Sequence, residues 1–175
     1  SIICRFLAIN LFSNVVNPFQ DNAYFDFELF KKHVELAQRI MDDIIDLETE
    51  KINKIIKKIE AVPETDEVRW PERHLWEKIR EKTLQGRRTG VGITAEGDMI
   101  AAMGLRYGTN EATDFAEKVH KTLALAAYKS SVTLAKERGA FEIFDVEREK
   151  NNPFINRLAE ADPMLYEDMK KYGRR

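Results

Sequence analysis

Cys4 is the only cysteine among 175 residues, so the chain can form neither an internal disulfide nor a multi-cysteine metal site. It stands in the apolar run Ile2-Ile3-Cys4-Arg5-Phe6-Leu7-Ala8-Ile9-Asn10-Leu11. A thiol doing redox work there needs a partner from outside this chain; the alternative is a cysteine that packs as a small apolar group. Asp42-Asp43-Ile44-Ile45-Asp46 is an aspartate-rich DDxxD pattern. Carboxylates one helical turn apart can hold Mg²⁺ against a diphosphate. That chemistry needs a second acidic helix, and none is evident; the competing reading is a solvated face running on into Lys51, Lys54, Lys57 and Lys58. Glu117-Lys118-Val119-His120 is half of a di-iron signature. Phe30 and Pro71 stand three residues before His33 and His74, so the second half is missing and no metal site is assigned. The run Gly90 to Asp98 has neither dinucleotide-binding spacing nor a phosphate-loop Lys-Ser/Thr, and reads as a tight packed turn ahead of a helix.

Several elements must position these groups. Residues 1–12 read as a strand with Ile2, Cys4, Phe6 and Ala8 on one face and Ile3, Arg5, Leu7 and Ile9 on the other, as in a strand covered on two sides. No second strand of comparable quality is evident. Residues 13–23 are loop chemistry. Asp26 caps a helix over 26–60, with a break expected near Leu47–Lys51. An acidic linker over 61–70 precedes a helix over 72–83 with Pro71 at its first position. Asp98 caps a short helix over 98–105, and Thr109 or Asn110 starts the longest clean one, 110–138, stopped by Gly139. Residues 140–161 read as irregular with a short strand or turn at Phe141–Phe144, and Asp162-Pro163 opens a last helix over 163–172. The fold class is therefore mainly α with one or two short strands.

Composition excludes some functions. Lys and Arg (28) nearly cancel Asp and Glu (30), so the chain offers no field to nucleic acid or an acidic membrane. No run approaches the roughly 18 apolar residues of a membrane span. The apolar start has no basic flank or small-residue cleavage pattern. A single thiol without an export signal fits a reducing cytoplasm.

Three blocks, taken together, carry a family resemblance. Cys4-Arg5-Phe6-Leu7-Ala8-Ile9-Asn10-Leu11 resembles the segment after the radical-cysteine motif of ribonucleotide reductase large subunits. Ala37 to Glu48, Ala-Gln-Arg-Ile-Met-Asp-Asp-Ile-Ile-Asp-Leu-Glu, resembles a long barrel helix of the adenosylcobalamin-dependent (class II) branch. Gly86-Arg87-Arg88-Thr89-Gly90-Val91-Gly92-Ile93-Thr94, Gly97-Asp98-Met99 and Gly104-Leu105-Arg106-Tyr107-Gly108 are similar to the family's glycine-rich turn and following helix, and the helix ending Ala135-Lys136-Glu137-Arg138-Gly139-Ala140 fits too. The resemblance implies a single 1–175 piece of a ten-stranded α/β barrel. It implies that Cys4 is one of two redox cysteines, its partner elsewhere, and that the piece is inactive alone. It further implies adenosylcobalamin in the parent enzyme, with none of its binding residues identified here. The remaining implied partners are a ribonucleotide substrate, nucleotide effectors and a thioredoxin-type reductant, with possible homo-oligomers through apolar surface left uncovered. Two other readings compete. One is a free-standing helical interaction domain; the other is an enzyme similar to helical prenyl-diphosphate enzymes, using Asp42, Asp43 and Asp46.

Overall fold

A computed structural model of the chain describes residues 5–175; Cys4 lies outside them. Arg5–Asn10 form strand β1. A 3₁₀ turn at Phe12–Asn14 leads to a two-residue strand β2, Val15–Val16, which pairs antiparallel with β3, Tyr24–Phe25.

Helix α1 then runs unbroken over Phe27–Ala61. The Asp26 side chain accepts from the Leu29 N–H at 2.9 Å, satisfying one of the first-turn donors. Phe30, Val34, Ala37, Met41, Ile45, Ile52, Ile56 and Ile59 recur at helical spacing and are buried. No glycine or proline interrupts the span, which is why the break expected near Leu47–Lys51 does not occur. Helix α2, Asp66–Gly86, starts earlier than the 72–83 span and contains Pro71. The acidic residues expected as linker instead make its first turn, where Asp66 and Glu67 suit the positive end of the helix. Arg73 pairs with Glu60 at 3.2 Å, and Arg80 donates to Asn53 at 3.0 Å, tying α2 back along α1.

Strand β4, Thr89–Thr94, occupies the glycine-rich run expected to be a turn. It pairs in parallel with β1 in the register Arg5↔Thr89 through Asn10↔Thr94. The second strand was hidden because its outer positions, Gly90 and Gly92, carry no side chain to show a period of two. Helix α3, Glu96–Ala102, follows with Ala95 left-handed (φ 61°) at its N-terminus, so Asp98 lies within the first turn and is not the cap. Helix α4, Asn110–Arg138, is capped by Thr109, whose hydroxyl accepts from Ala112 N at 3.3 Å. Residues read as irregular fold as a turn at Phe141–Phe144, a short helix α5, Val146–Glu149, and α6, Pro153–Ala161. Helix α7, Pro163–Tyr172, is capped by Asp162 and ends at Gly173.

The described residues are thus mainly helical, with four short strands in two separate pairs and no closed barrel. Leu7 and Ile9 of β1 and Val91 and Ile93 of β4 face a core with Phe30, Val34 and Ala37 of α1 and Val119 and Ala126 of α4. A second cluster, Val132, Ile155, Leu158, Leu165 and Met169, joins α6 and α7 to α4. Helices therefore cover one face of the β1–β4 pair. The other face, with Phe6, Ala8 and Asn10, is exposed.

Candidate functional site

Two features meet at the N-terminal ends of β1 and β4. The first is the uncovered face of the pair. Phe6, 68% exposed, lies across β4. A Cβ on Gly92 would come within 2.5 Å of its ring, and one on Gly90 within 3.1 Å. The glycines are what let an aromatic lie flat on the neighbouring strand. Each strand of the pair has a single strand neighbour among the described residues, so each offers an open edge of N–H and C=O groups.

The second feature is a charge network that anchors the start of β4. Asp42, on the buried face of α1, is 1% exposed. Its Oδ1 accepts from Arg87 Nε (2.8 Å) and Nη2 (2.6 Å), and its backbone carbonyl accepts from the same Nη2 (3.0 Å). Its Oδ2 accepts from Arg138 Nη1 and Arg175 Nε, both at 2.8 Å. Arg87 also donates to Asp46 at 2.8 Å, and Arg138 to Asp43 at 2.6 Å. Burial pushes the Asp42 carboxyl up, but hydrogen bonds from Arg175, Arg87 and Arg138 outweigh it and hold the group below the usual carboxylate range. Desolvation likewise works against the Arg87 charge, and the bonds to Asp46 and Asp42 more than restore it.

Arg87 adopts a left-handed backbone (φ 38°, ψ 50°) where a glycine would be cheaper, at a cost of roughly 1–2 kcal/mol. Its N–H closes α2 onto Thr83 O at 2.9 Å, and its side chain is carried back under α1. One turn before Asp42, buried Gln38 donates to Thr89 Oγ1 (3.2 Å), at the first residue of β4, and to the Arg175 carbonyl (3.4 Å). Arg5, at the matching position of β1, pairs with Glu48 of α1. One helix therefore grips the starts of both strands. A cavity of about 580 Å³ opens beside this end of β4, between Gln38, Arg88, Thr89, Tyr128, Ser131 and Arg174. Burial raises the Tyr128 hydroxyl pKa, and the Arg174 guanidinium lies 5.1 Å from its ring centre.

The aspartate trio is drawn together: ligand atoms of Asp42, Asp43 and Asp46 lie within 4.8 Å of one another. They are nevertheless engaged by Arg87, Arg138 and Arg175. Three carboxylates facing three guanidiniums leave no net negative field for a divalent cation, and a metal would have to displace buried ion pairs. His120 meets Glu96 at 3.3 Å on the surface. Sequence reasoning reached Asp42, Asp43, Asp46 and the Gly86-Arg87-Arg88-Thr89 block but missed Gln38, Arg138 and Arg175 as parts of one network. The available signal was the i, i+4 spacing of Gln38 and Asp42, which puts two polar groups on the apolar face of α1.

Comparison with known proteins fits this geometry. Residues 1–175 match the family model described as the ribonucleotide reductase barrel domain. The chain is 29% identical over 138 residues to a vitamin B12-dependent ribonucleoside-diphosphate reductase of Thermoplasma acidophilum, covering 79% of this chain and 14% of that protein. It is 28% identical over 119 residues to the enzyme of that name from Mycobacterium tuberculosis, covering 68% and 14%. It is also 25% identical over 139 residues to a ribonucleoside-diphosphate reductase subunit alpha of Chlamydia pneumoniae, covering 79% and 10%. The chain thus spans 14% or less of the length of these relatives. With a parallel strand pair covered by helices on one face and open on the other, and a family match along its whole length, this chain belongs to the ribonucleotide reductase barrel-domain family.

Proposed function

We propose that this chain is a segment of the catalytic barrel of a class II, adenosylcobalamin-dependent ribonucleotide reductase, and that Cys4 supplies one thiol of the redox couple that reduces the ribose. The observation that carries the reading is the whole-length family match over a strand pair with open edges. The vitamin B12-dependent relatives support the cobalamin branch, being matched at 28–29% identity over 68–79% of this chain, whereas the 31% match to a viral large subunit covers only 39%. Cys4 lies outside the described residues, but it shares the sequence parity of Phe6, Ala8 and Asn10, which are exposed opposite the helices.

Two thiols become one disulfide and release two electrons and two protons. The ribose 2′-hydroxyl leaves as water, and hydrogen takes its place at C2′. The thiols are regenerated by an external dithiol of the thioredoxin type, by thiol–disulfide exchange. When bound, the cobalamin supplies the radical that starts the reaction. The cavity beside the start of β4 holds about 580 Å³ and opens to the surface, too little for a corrin with its nucleotide tail. The residues around it do not by themselves fit the cofactor. Residues of this chain hold the strand starts through α1 and present an open sheet face on which the exposed Phe6 ring lies over Gly90 and Gly92. Among the described residues no helix is long and apolar enough to cross a membrane.

Cys4→Ser in the polypeptide as its gene encodes it tests the reading. Reduced with dithiol and given ribonucleotide and adenosylcobalamin, the unsubstituted protein forms deoxyribonucleotide over many turnovers, and the variant is expected to stop at background. Undiminished dithiol-dependent turnover by Cys4→Ser would remove the proposed role.

A further inference from the structure

We propose that the ring of Phe6, laid flat on Gly90 and Gly92, is the platform on which the base of the ribonucleotide substrate stacks. The inference rests on the reading of this chain as part of a ribonucleotide reductase barrel. Helices cover the face of the β1–β4 pair that carries Leu7, Ile9, Val91 and Ile93. In an α/β barrel the helices form the outer layer. The opposite face, with Phe6, Ala8 and Asn10 of β1 and Gly90, Gly92 and Thr94 of β4, therefore looks into the barrel. Side chains that fill a barrel interior are bulky and stand off the sheet. Phe6 lies down instead. A Cβ on Gly92 would come within 2.5 Å of its Cζ, and one on Gly90 within 3.1 Å of its Cδ2. A ring standing off β1 would need no glycine on the neighbouring strand. Beside it Ala8 adds a single methyl group, and the ring itself is 68% exposed. This part of the wall leaves the interior unfilled, as in barrels that enclose a ligand.

The chemistry of this floor selects the end of the nucleotide that it meets. None of its six residues is charged. Arg5, the one cation of the pair, lies on the helix side and pairs with Glu48. Phosphate oxygens call for cations or converging N–H donors, so the phosphates are held elsewhere. A flat aromatic surface suits the uncharged, planar base. Every base has a π-face, so such a platform serves purines and pyrimidines alike.

The test uses the polypeptide as its gene encodes it, with CDP as the ribonucleotide. CDP binding is measured by equilibrium dialysis, and pyrophosphate binding by its competition with CDP. Phe6→Ala is expected to weaken CDP binding about tenfold, the loss of one stacked base, and to leave pyrophosphate binding within about twofold. Phe6→Tyr keeps the flat ring and should bind CDP within about twofold of the unsubstituted protein. Gly92→Ala keeps Phe6 but pushes its ring off β4, and should weaken CDP binding about threefold or more. A loss of less than about threefold for Phe6→Ala would overturn the inference. So would equal losses for CDP and pyrophosphate, which mark a distorted barrel and not a missing platform. Unsubstituted protein that binds no ribonucleotide would overturn the underlying reading as well. Should Phe6→Ala fail to fold, Gly92→Ala decides: a loss of about threefold or more in CDP binding at unchanged pyrophosphate binding supports the inference, and a smaller one overturns it.

Discussion

Asp42→Ala should be among the most damaging single changes available in this chain, and the size of the effect follows from burial. The Asp42 and Arg87 side chains are 1% and 6% exposed. Removing one partner of a pair so placed leaves a charge in low dielectric and costs about 3–5 kcal/mol. Part of that is recovered here. Arg87 keeps Asp46, Arg138 keeps Asp43, and Arg175 keeps the carbonyls of Arg138 and Gly139, so the lower end, about 3 kcal/mol, is expected. Arg39 and Glu137 make a two-bonded pair of similar geometry, but their side chains are 37% and 44% exposed. Solvent screening leaves such a pair little net contribution to stability. Urea unfolding followed by circular dichroism separates the two cases. At a slope of about 2 kcal/mol per molar, Asp42→Ala should lower the midpoint by about 1.5 M and Arg39→Ala by less than about 0.5 M. Equal shifts for the two variants would refute the view that burial decides what the network contributes.

Acid should unfold the protein partly through the same residue. The folded Asp42 pKa is depressed, so its contribution is full above the unfolded value of about 3.9 and is lost as pH falls from there through the folded value; Asp42→Asn should show a shallower loss of stability over that window in pH-jump denaturation. Gly173→Ala should cost at least about 1–3 kcal/mol in thermal or urea melts, because Gly173 has φ 77° and ψ −164° and a Cβ would sit 2.6 Å from the Cβ of Ala140. Gly92→Ala should cost about 0.5 kcal/mol or less by the same measurement, since the atom it meets belongs to the exposed ring of Phe6, which can swing away. Adding about 10 mM Mg²⁺ should leave the melting temperature unchanged, whereas a site at the aspartate trio with a Kd of about 0.1 mM would add about 2.7 kcal/mol.

Legibility from sequence depended on whether a position's side chain carried the pattern. In α1 and α4 the apolar period of 3.6 is continuous, and the cap residues Asp26 and Thr109 mark the starts. β4 was illegible because Gly90 and Gly92 erase the alternation that Val91 and Ile93 would otherwise display, and the reason for those glycines, the ring of Phe6, lies 84 residues or more away in the chain. The start of α2 was misread because Pro71 is more often a first helical residue. Here it falls one turn further in, after the helix has already begun at Asp66. Spacing marks only the Gln38 and Asp42 end of the charge network; its arginines could not be joined to it from sequence, because Asp42, Arg87, Arg138 and Arg175 are held together by tertiary contacts between four separate segments.

The aspartate trio shows why local pattern alone misassigns chemistry. Three acids on one helical turn are equally suited to a cation that diffuses in and to guanidiniums that arrive with the fold, because both demand oxygen atoms a few ångströms apart. What separates the outcomes is the charge brought by other segments. Arg87 enters from the turn after α2, Arg138 from the end of α4 and Arg175 from beyond α7. Each supplies a planar donor set that matches a carboxylate better than an ammonium would. The same arrangement explains why α1 rather than the sheet organises this region. A two-stranded parallel pair has little intrinsic stability, and its starts are fixed by Gln38, Asp42 and Glu48 of one helix. The helix thus fixes the starts of both strands, and with them the height at which the open edges of β1 and β4 lie.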